Sequence, residues 1–473
     1  MKTLLLNPPS FDDFDAAGSS RFQATREIKS HWYPVWLAYP AGLIPDSRLL
    51  DATTQGISAE ETIRIAGDYE FLALCTSTPG FENDVRLAEA IKSANPDIKI
   101  GFVGAHVTVQ PEDSLNASEA IDFVARKEYD YALAEFAEGR KLDDIDGISY
   151  RKDGKVVHNA NRPDIQDLDA LPFVTSVYHR DLNYKQYDIP YLLYPYVSFY
   201  STRGCPARCT FCLWPQTMSG HVWRTRSVEN VVAEVRQTLE LFPDINEIFF
   251  DDDTFPFEKS RTLALCEAFK PLKFTWSCNS RVHVDYETLK AMKESGCRLL
   301  DVGFETGDAT VLRNMKKGAT LDKAREFMKN SKKLGLVVHG DFQIGLPGET
   351  PETIEKTIQF AMELDPDTIQ VSITHPYPGT AFYNYVTENG FLTEDDMTDE
   401  MGHQLPNIQY PGLDRRHMVR MVEEFYDRYY FRPKVVYRIM KRSLTSAQEL
   451  RRRYREGKEF LQLRAERRRF AQS

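Results

Sequence analysis

No stretch of the sequence approaches the roughly 18 to 20 consecutive apolar residues that a membrane-spanning helix needs. An export signal is missing too. The opening Met1-Lys2-Thr3-Leu4-Leu5-Leu6-Asn7-Pro8-Pro9 has too short an apolar core and predicts a first strand stopped by prolines. The expectation is a cytoplasmic protein. There are no internal repeats and no low-complexity tracts, and 42% hydrophobic with 27% charged residues excludes disorder as the main state. Cysteine is scarce and odd in number: Cys75, Cys205, Cys209, Cys212, Cys266, Cys278 and Cys297. That count, with three of them crowded together, argues against a disulfide framework.

What is present is a chain of 473 residues, long enough for two or three domains. Its net charge of −11 is uneven, because fourteen Lys and Arg face four Glu between Arg432 and Arg469. That tail is about +10 and the remainder about −21, so general nucleic-acid binding by the body is not expected.

Apolar runs over 3–7, 71–76, 99–104 and 121–125 alternate with helical spacing, as over 84–94 where Val85, Leu87, Ala88, Ala90 and Ile91 recur. Strands of this kind predict a parallel, doubly wound sheet covered on both faces, over residues 1–145. A hairpin with an Asp153-Gly154 turn and the linker Asp169-Ala170-Leu171-Pro172 fill 146–190. A second alternation over 191–395 has strands at 196–200, 247–250, 274–278, 299–303, 337–344 and 368–374. Six β-α units predict an incomplete parallel barrel with its chemistry at the carboxyl ends of the strands. Residues 396–473 are expected to be helical, ending in the basic tail.

The strongest chemical signal follows the first barrel strand: Gly204-Cys205-Pro206-Ala207-Arg208-Cys209-Thr210-Phe211-Cys212. Three cysteines this close can converge on one inorganic centre. A structural zinc site normally wants four ligands, and the nearest further candidates, His221 and Cys266, fit no familiar zinc spacing. A [4Fe–4S] cluster on three thiolates keeps one iron open for another ligand.

The spacing, with Phe211 before the last cysteine, resembles the radical S-adenosylmethionine (SAM) superfamily. The resemblance implies that the open iron chelates SAM and that the reduced cluster cleaves it to a 5′-deoxyadenosyl radical. A reductant such as flavodoxin or ferredoxin is then a partner. Later strand ends match the same family. Asp251 and Asp252 fall where relatives hold the SAM amino group, and Arg281 suits its carboxylate through fork geometry. Glu305, in Gly303-Phe304-Glu305-Thr306-Gly307, falls at the ribose motif, and Gly345-Leu346-Pro347 matches the turn bordering adenine.

The first domain resembles the cobalamin-binding half of B12-type radical SAM enzymes. The match rests on the opening Leu-Leu-Asn-Pro-Pro, on Val103-Gly104-Ala105-His106 and on the linker. The resemblance implies cobalamin near Gly104 and His106. Two departures stand out: the usual Gly-Glu-Gly-Glu turn is Lys127-Glu128-Tyr129-Asp130, and the Asp-x-His-x-x-Gly motif that supplies a cobalt ligand is absent. A retained structural Rossmann domain is the alternative.

The aromatic opening, including Phe11, Phe14, Trp32, Tyr33 and Trp36, resembles a hopanoid-biosynthesis-associated radical SAM subfamily. It implies a hopanoid lipid substrate whose glucosamine-type head group is contracted to a cyclitol ether. The basic tail fits an anionic membrane surface reached peripherally. Two other functions stay open: a cobalamin-dependent C-methyltransferase and a non-catalytic cofactor-binding protein.

Overall fold

Side chains alternate across a strand, and this divides the opening leucines between two cores. β1 (Thr3–Asn7) is buried along its whole length. Leu4 and Leu6 pack with Leu72, Leu74, Leu87 and Ile91, whereas Leu5 packs on the other face with Trp36, Tyr39, Phe71 and Ala73. The computed structural model describes residues 1–11, 28–394, 396–398, 405–444 and 447–472.

β2 (Ser47–Asp51), β3 (Phe71–Cys75), β4 (Lys99–Val103) and β5 (Phe123–Ala125) join β1 in parallel, in the order β2-β1-β3-β4-β5. β2 is not among the strands the pattern predicts, because only Leu49 and Leu50 carry its apolar signal. Strand order reverses between β1 and β3, the point at which doubly wound sheets bind ligands beyond their carboxyl ends. β6 (Ile148–Lys152) and β7 (Lys155–His158) form the expected hairpin, with Asp153 and Gly154 at φ 50° and 74° in the turn. The hairpin is no free connector: β6 pairs antiparallel with β5 and extends the first sheet to seven strands.

After β8 (Tyr196–Phe199), a ribbon of β9 (Thr202–Arg203) and β10 (Arg224–Thr225) brackets the cysteine loop. β11 (Glu247–Phe250), β12 (Trp276–Ser280), β13 (Cys297–Glu305), β14 (Val337–Ile344) and β15 (Thr368–Ile373) complete a parallel six-stranded sheet with β8. This is the incomplete barrel the sequence predicts. Its outer edge is sealed by helix Arg415–Tyr430. Tyr426 Oη accepts from Val371 N at 2.8 Å, and Tyr430 Oη accepts from Ile369 N at 3.0 Å and donates to Ile369 O at 2.9 Å. Those hydroxyls occupy an edge that would otherwise invite another strand.

The C-terminal helices Pro433–Ser443 and Ala447–Gln472 fold the basic tail back onto the barrel. Arg432 and Lys434 lie 3.0 and 3.3 Å from Asp365, and Arg452 and Arg455 each lie 2.7 Å from Asp188. Arg464 meets Glu423 at 2.8 Å and Asp427 at 2.5 Å. Intramolecular carboxylates thus engage part of the positive charge that the sequence assigns to an anionic membrane surface. No helix among the described residues is long and apolar enough to cross a membrane. Of the aromatic opening, Phe14 lies outside the described residues, while Trp32, Tyr33 and Trp36 are buried in the core.

Two buried ion pairs bind sheet to barrel. Arg203 on β9 donates to both oxygens of Asp130 at 2.8 and 2.9 Å, and Arg224 on β10 donates to both of Glu128 at 2.7 and 2.8 Å. The Arg203 guanidinium also lies 4.5 Å over each of the Trp36 and Tyr39 rings. Lys127 stands at φ 58°, the left-handed conformation that explains why glycine is usual there. All four charges are buried. Asp130→Ala leaves Arg203 without its bidentate partner and should cost ~3–5 kcal/mol of unfolding free energy by denaturant titration. Lys152→Ala, which breaks an exposed pair with Asp143, should leave the unfolding midpoint unchanged. Equal losses in the two variants would show that the buried pairs do not hold the domains together.

Candidate active site

Cys205, Cys209 and Cys212 lie between β9 and helix Leu213–Thr217. Gly204 opens the loop at φ 85°, where a Cβ would come within 2.2 Å of the Val222 carbonyl oxygen. The three form no disulfide; Cys205 and Cys209 are buried and Cys212 is half-buried. Gln216 gathers the loop, its Nε2 lying 2.7, 3.1 and 3.3 Å from the carbonyl oxygens of Cys212, Thr210 and Cys209. Thr210 N donates to Met315 O and Phe382 N donates to Thr210 O, both at 2.9 Å. His221 turns Nδ1 to the Cys205 carbonyl oxygen at 3.1 Å and so braces the loop, while Cys266 is buried in helix Lys259–Phe269. A short braced loop with three thiols fits a [4Fe–4S] cluster with one open iron.

The barrel strand ends surround this loop. Phe211 packs with Val311, Leu312, Met315 and Leu346. Arg281 points Nη1 at Cys209 Sγ, 3.8 Å away, and Nη2 at the Lys317 carbonyl. Glu305, the last residue of β13, stands at φ 66°. Its Oε1 is 2.5 Å from Lys317 Nζ and its Oε2 accepts from Gln343 Nε2 at 2.8 Å. Gly345-Leu346-Pro347 forms the turn after β14, with Gly345 at φ 95°.

The acidic run divides. Asp251 Oδ1 accepts from Asn279 Nδ2 at 3.1 Å. Asp252 is wholly buried and accepts from Ser201 N at 2.8 Å, Ser201 Oγ at 3.0 Å and Thr202 Oγ1 at 2.5 Å. Burial pushes its carboxyl up against those donors. Asp252 therefore joins two strand ends rather than facing an incoming ligand. Half-buried Asp253, bonded by Ser219 Oγ at 3.3 Å, is more open to the loop. Gln216, Lys317 and Asp253 went unidentified in the sequence. Only Asp253 had a signal, its place in the acidic run.

Across the seam, Gly104 follows β4 at φ 122°, and a Cβ there would lie 2.3 Å from the Thr76 carbonyl oxygen. Only glycine allows the chain leaving β4 to pass this close to the backbone that follows β3. His106 stacks on Phe81 at 4.4 Å, and burial brings its pKa down to about 4, leaving it neutral. Its buried Nδ1 has no hydrogen-bond partner among the described residues. A buried ring nitrogen without a partner, at the carboxyl end of the first sheet, fits the edge of a large cofactor such as cobalamin.

Glu349 anchors the turn after β14 from inside. Its carboxylate accepts from Gly345 N at 2.5 Å and Leu346 N at 3.3 Å, and Tyr410 Oη donates to Gly345 O at 2.9 Å. Burial pushes Glu349 up to about 8, so the folded protein holds a proton that the unfolded chain releases near pH 4.5. Its contribution is fully present below that unfolded value and is lost as pH rises toward 8, at up to about 1.4 kcal/mol per unit. Stability measured from pH 5.5 to 8 should fall less steeply in Glu349→Gln than in the parent. Parallel profiles would show that Glu349 does not titrate in this range.

The Radical SAM superfamily pattern matches residues 199–361, and the B12 binding domain pattern matches residues 24–137. An uncharacterized methyltransferase of Pyrococcus horikoshii is 30% identical over 448 residues, covering 92% of this chain and 94% of that protein. The anaerobic magnesium-protoporphyrin IX monomethyl ester cyclase of Rubrivivax gelatinosus is 26% identical over 425 residues, covering 85% and 75%. Among solved structures, the radical SAM methyltransferase TsrM of Kitasatospora setae, with cobalamin and a [4Fe–4S] cluster bound, superposes with a TM-score of 0.70. It shares 16% identity, and the match covers 98% of this chain and 99% of TsrM. The cofactors that go with these two domains are a [4Fe–4S] cluster, SAM and cobalamin. The chain belongs to the radical SAM superfamily, in the branch that carries an N-terminal B12-binding domain.

Proposed function

We propose that this protein is a cobalamin-dependent radical SAM methyltransferase acting at carbon. The observation that carries this reading is the seating of the first sheet's rim on the helix that follows the cysteines. Thr108 Oγ1 comes within 3.5 Å of Met218 Sδ, and Val109 Cγ1 lies 2.5 Å from where a Cβ on Gly379 would stand. Two cofactor regions meeting at one seam suit a reaction that uses both. When bound, the cluster and SAM supply one-electron chemistry and a methyl source, and cobalamin supplies a methyl carrier.

The chain's own residues hold and orient. Cys205, Cys209 and Cys212 hold the iron. Arg281, already beside Cys209, suits the SAM carboxylate through charge-assisted bonds. Asp251 suits the amino group and Glu305 the ribose hydroxyls, with Phe211 and Gly345-Leu346-Pro347 around the adenine. Asp252 is a positioning residue for that strand end. Gly104 and His106 border the corrin. A one-electron donor of flavodoxin or ferredoxin type serves the cluster.

Names of relatives support methyl transfer better than ring contraction of a hopanoid head group. The hopanoid substrate and the membrane contact rest on the opening segment and the tail alone, and residues 12–27 of that segment lie outside the described residues. The products discriminate. Reconstituted holoenzyme, incubated anaerobically with reductant, SAM and cell extract as substrate source, should give S-adenosylhomocysteine and 5′-deoxyadenosine together. Cys209→Ala should form no 5′-deoxyadenosine. If the parent protein gives 5′-deoxyadenosine and no S-adenosylhomocysteine, methyl transfer is excluded and ring contraction regains first place.

A further inference from the structure

The barrel interior holds a second constellation, below the cysteine loop and unused by the chemistry above. Side chains two apart on a strand share a face, so His339 and Asp341 of β14 both point into the lumen, as does Gln343. Asp301 of β13 lies opposite His339 in the parallel ladder and shares that face. It is four residues before Glu305, which places it ~13 Å lower along the strand. The imidazole and the two carboxylates can each offer one ligand atom, all within 4.8 Å of one another.

The surroundings hold these groups as a metal site would. Thr368 Oγ1 is 2.7 Å from His339 Nδ1, which leaves Nε2 to face the carboxylates; it lies 3.5 Å from Asp341 Oδ1. That is close to the roughly 3.4 Å ligand–ligand edge expected around an ion with bonds of about 2.1 Å. Tyr191 Oη donates to Asp301 Oδ2 at 2.8 Å, and the Tyr191 ring stacks on His339 with centroids 4.1 Å apart. Bracing of this kind is what fixes ligand orientation around bound metals. Asp301 is only 8% exposed, and its other oxygen, Oδ1, is buried with no hydrogen-bond partner among the described residues. A carboxylate oxygen held dry and unbonded is costly unless something positive reaches it.

We propose that Asp301, His339 and Asp341 bind a divalent first-row metal ion in the barrel lumen, at a site distinct from the cysteine cluster. One imidazole and two carboxylates suit Mn²⁺, Fe²⁺ or Zn²⁺, and three protein ligands leave coordination positions for water or a substrate oxygen. Access comes from the amino-terminal end of the sheet. An apolar cavity of about 400 Å³, bordered by Tyr191, His339, Tyr430 and Phe460, opens there among the C-terminal helices. Metal binding displaces any proton on Nε2, so affinity rises with pH.

Mn²⁺ is the probe, because it favours oxygen and nitrogen ligands over thiolates. Holoenzyme with its cluster in place and oxidised should remove one Mn²⁺ per chain from the free-ion electron paramagnetic resonance signal, saturably. Asp301→Asn and His339→Gln should weaken that binding by roughly tenfold or more, with iron content and melting temperature unchanged. Asp341 is half-exposed, so Asp341→Asn reports the same loss if the buried variants fail to fold. Absence of a saturable Mn²⁺ site in the parent protein, or unchanged affinity in Asp341→Asn, overturns the proposal.

Discussion

Two guanidinium–carboxylate pairs buried between the sheet and the barrel are the constraint on which the rest of this structure depends. Ions taken out of water are expensive, and their mutual attraction compensates only when geometry is good and every remaining donor finds an acceptor. Geometry is good in both pairs, and Arg224 meets the second condition; Arg203 Nε is buried without a hydrogen-bond partner among the described residues. Each arginine meets its acid through two bonds, and Arg224 also donates to the carbonyls of Ile165 and Ser219 at 2.6 and 2.7 Å. Such pairs tolerate little displacement, so the rim carrying Gly104 and His106 has one seat relative to the cysteine loop. A purely apolar seam would have adhered as well but could have slid.

That rigidity orders the molecule along the barrel axis. At the carboxyl ends, the cysteine loop, Arg281 and Glu305 share a space closed from above by the first sheet. Inside, the lumen face of β13 and β14 carries charge rather than hydrocarbon. At the other end, Tyr426 and Tyr430 seal the edge of β15 and the C-terminal helices close over an apolar cavity. The arginine-rich tail is part of this closure, with Arg432, Arg452 and Arg464 paired to Asp365, Asp188 and Glu423.

Local signals were legible in the sequence and distant partners were not. Three ligands within eight residues announce a centre whatever the fold around them. The barrel strands announce themselves by apolar period, and the residues that follow them fall at one end as a matter of topology. β2 carried too few apolar residues to register. Lys127-Glu128-Tyr129-Asp130 read as a disturbed ligand turn because Arg203 and Arg224, which explain its two acids, lie more than seventy residues further on. In the run Asp251-Asp252-Asp253, which acid turns inward depends on the bend after β11, a matter of packing rather than pattern. The tail's charge is plain in its composition, but its partners Asp188, Asp365, Glu423 and Asp427 are distant in the chain.

Gln216 joins the cysteine loop to two helices at once. One side-chain amide gathers three carbonyls of the cysteine loop, and its oxygen accepts from Ala381 N at 2.8 Å. That amide ties the cysteine loop to helix Leu213–Thr217 and to helix Ala381–Glu388, so the positions of the thiols depend on the fold around them and not on the loop alone. A shift in either helix is thereby passed through one side chain to Cys209 and Cys212 together.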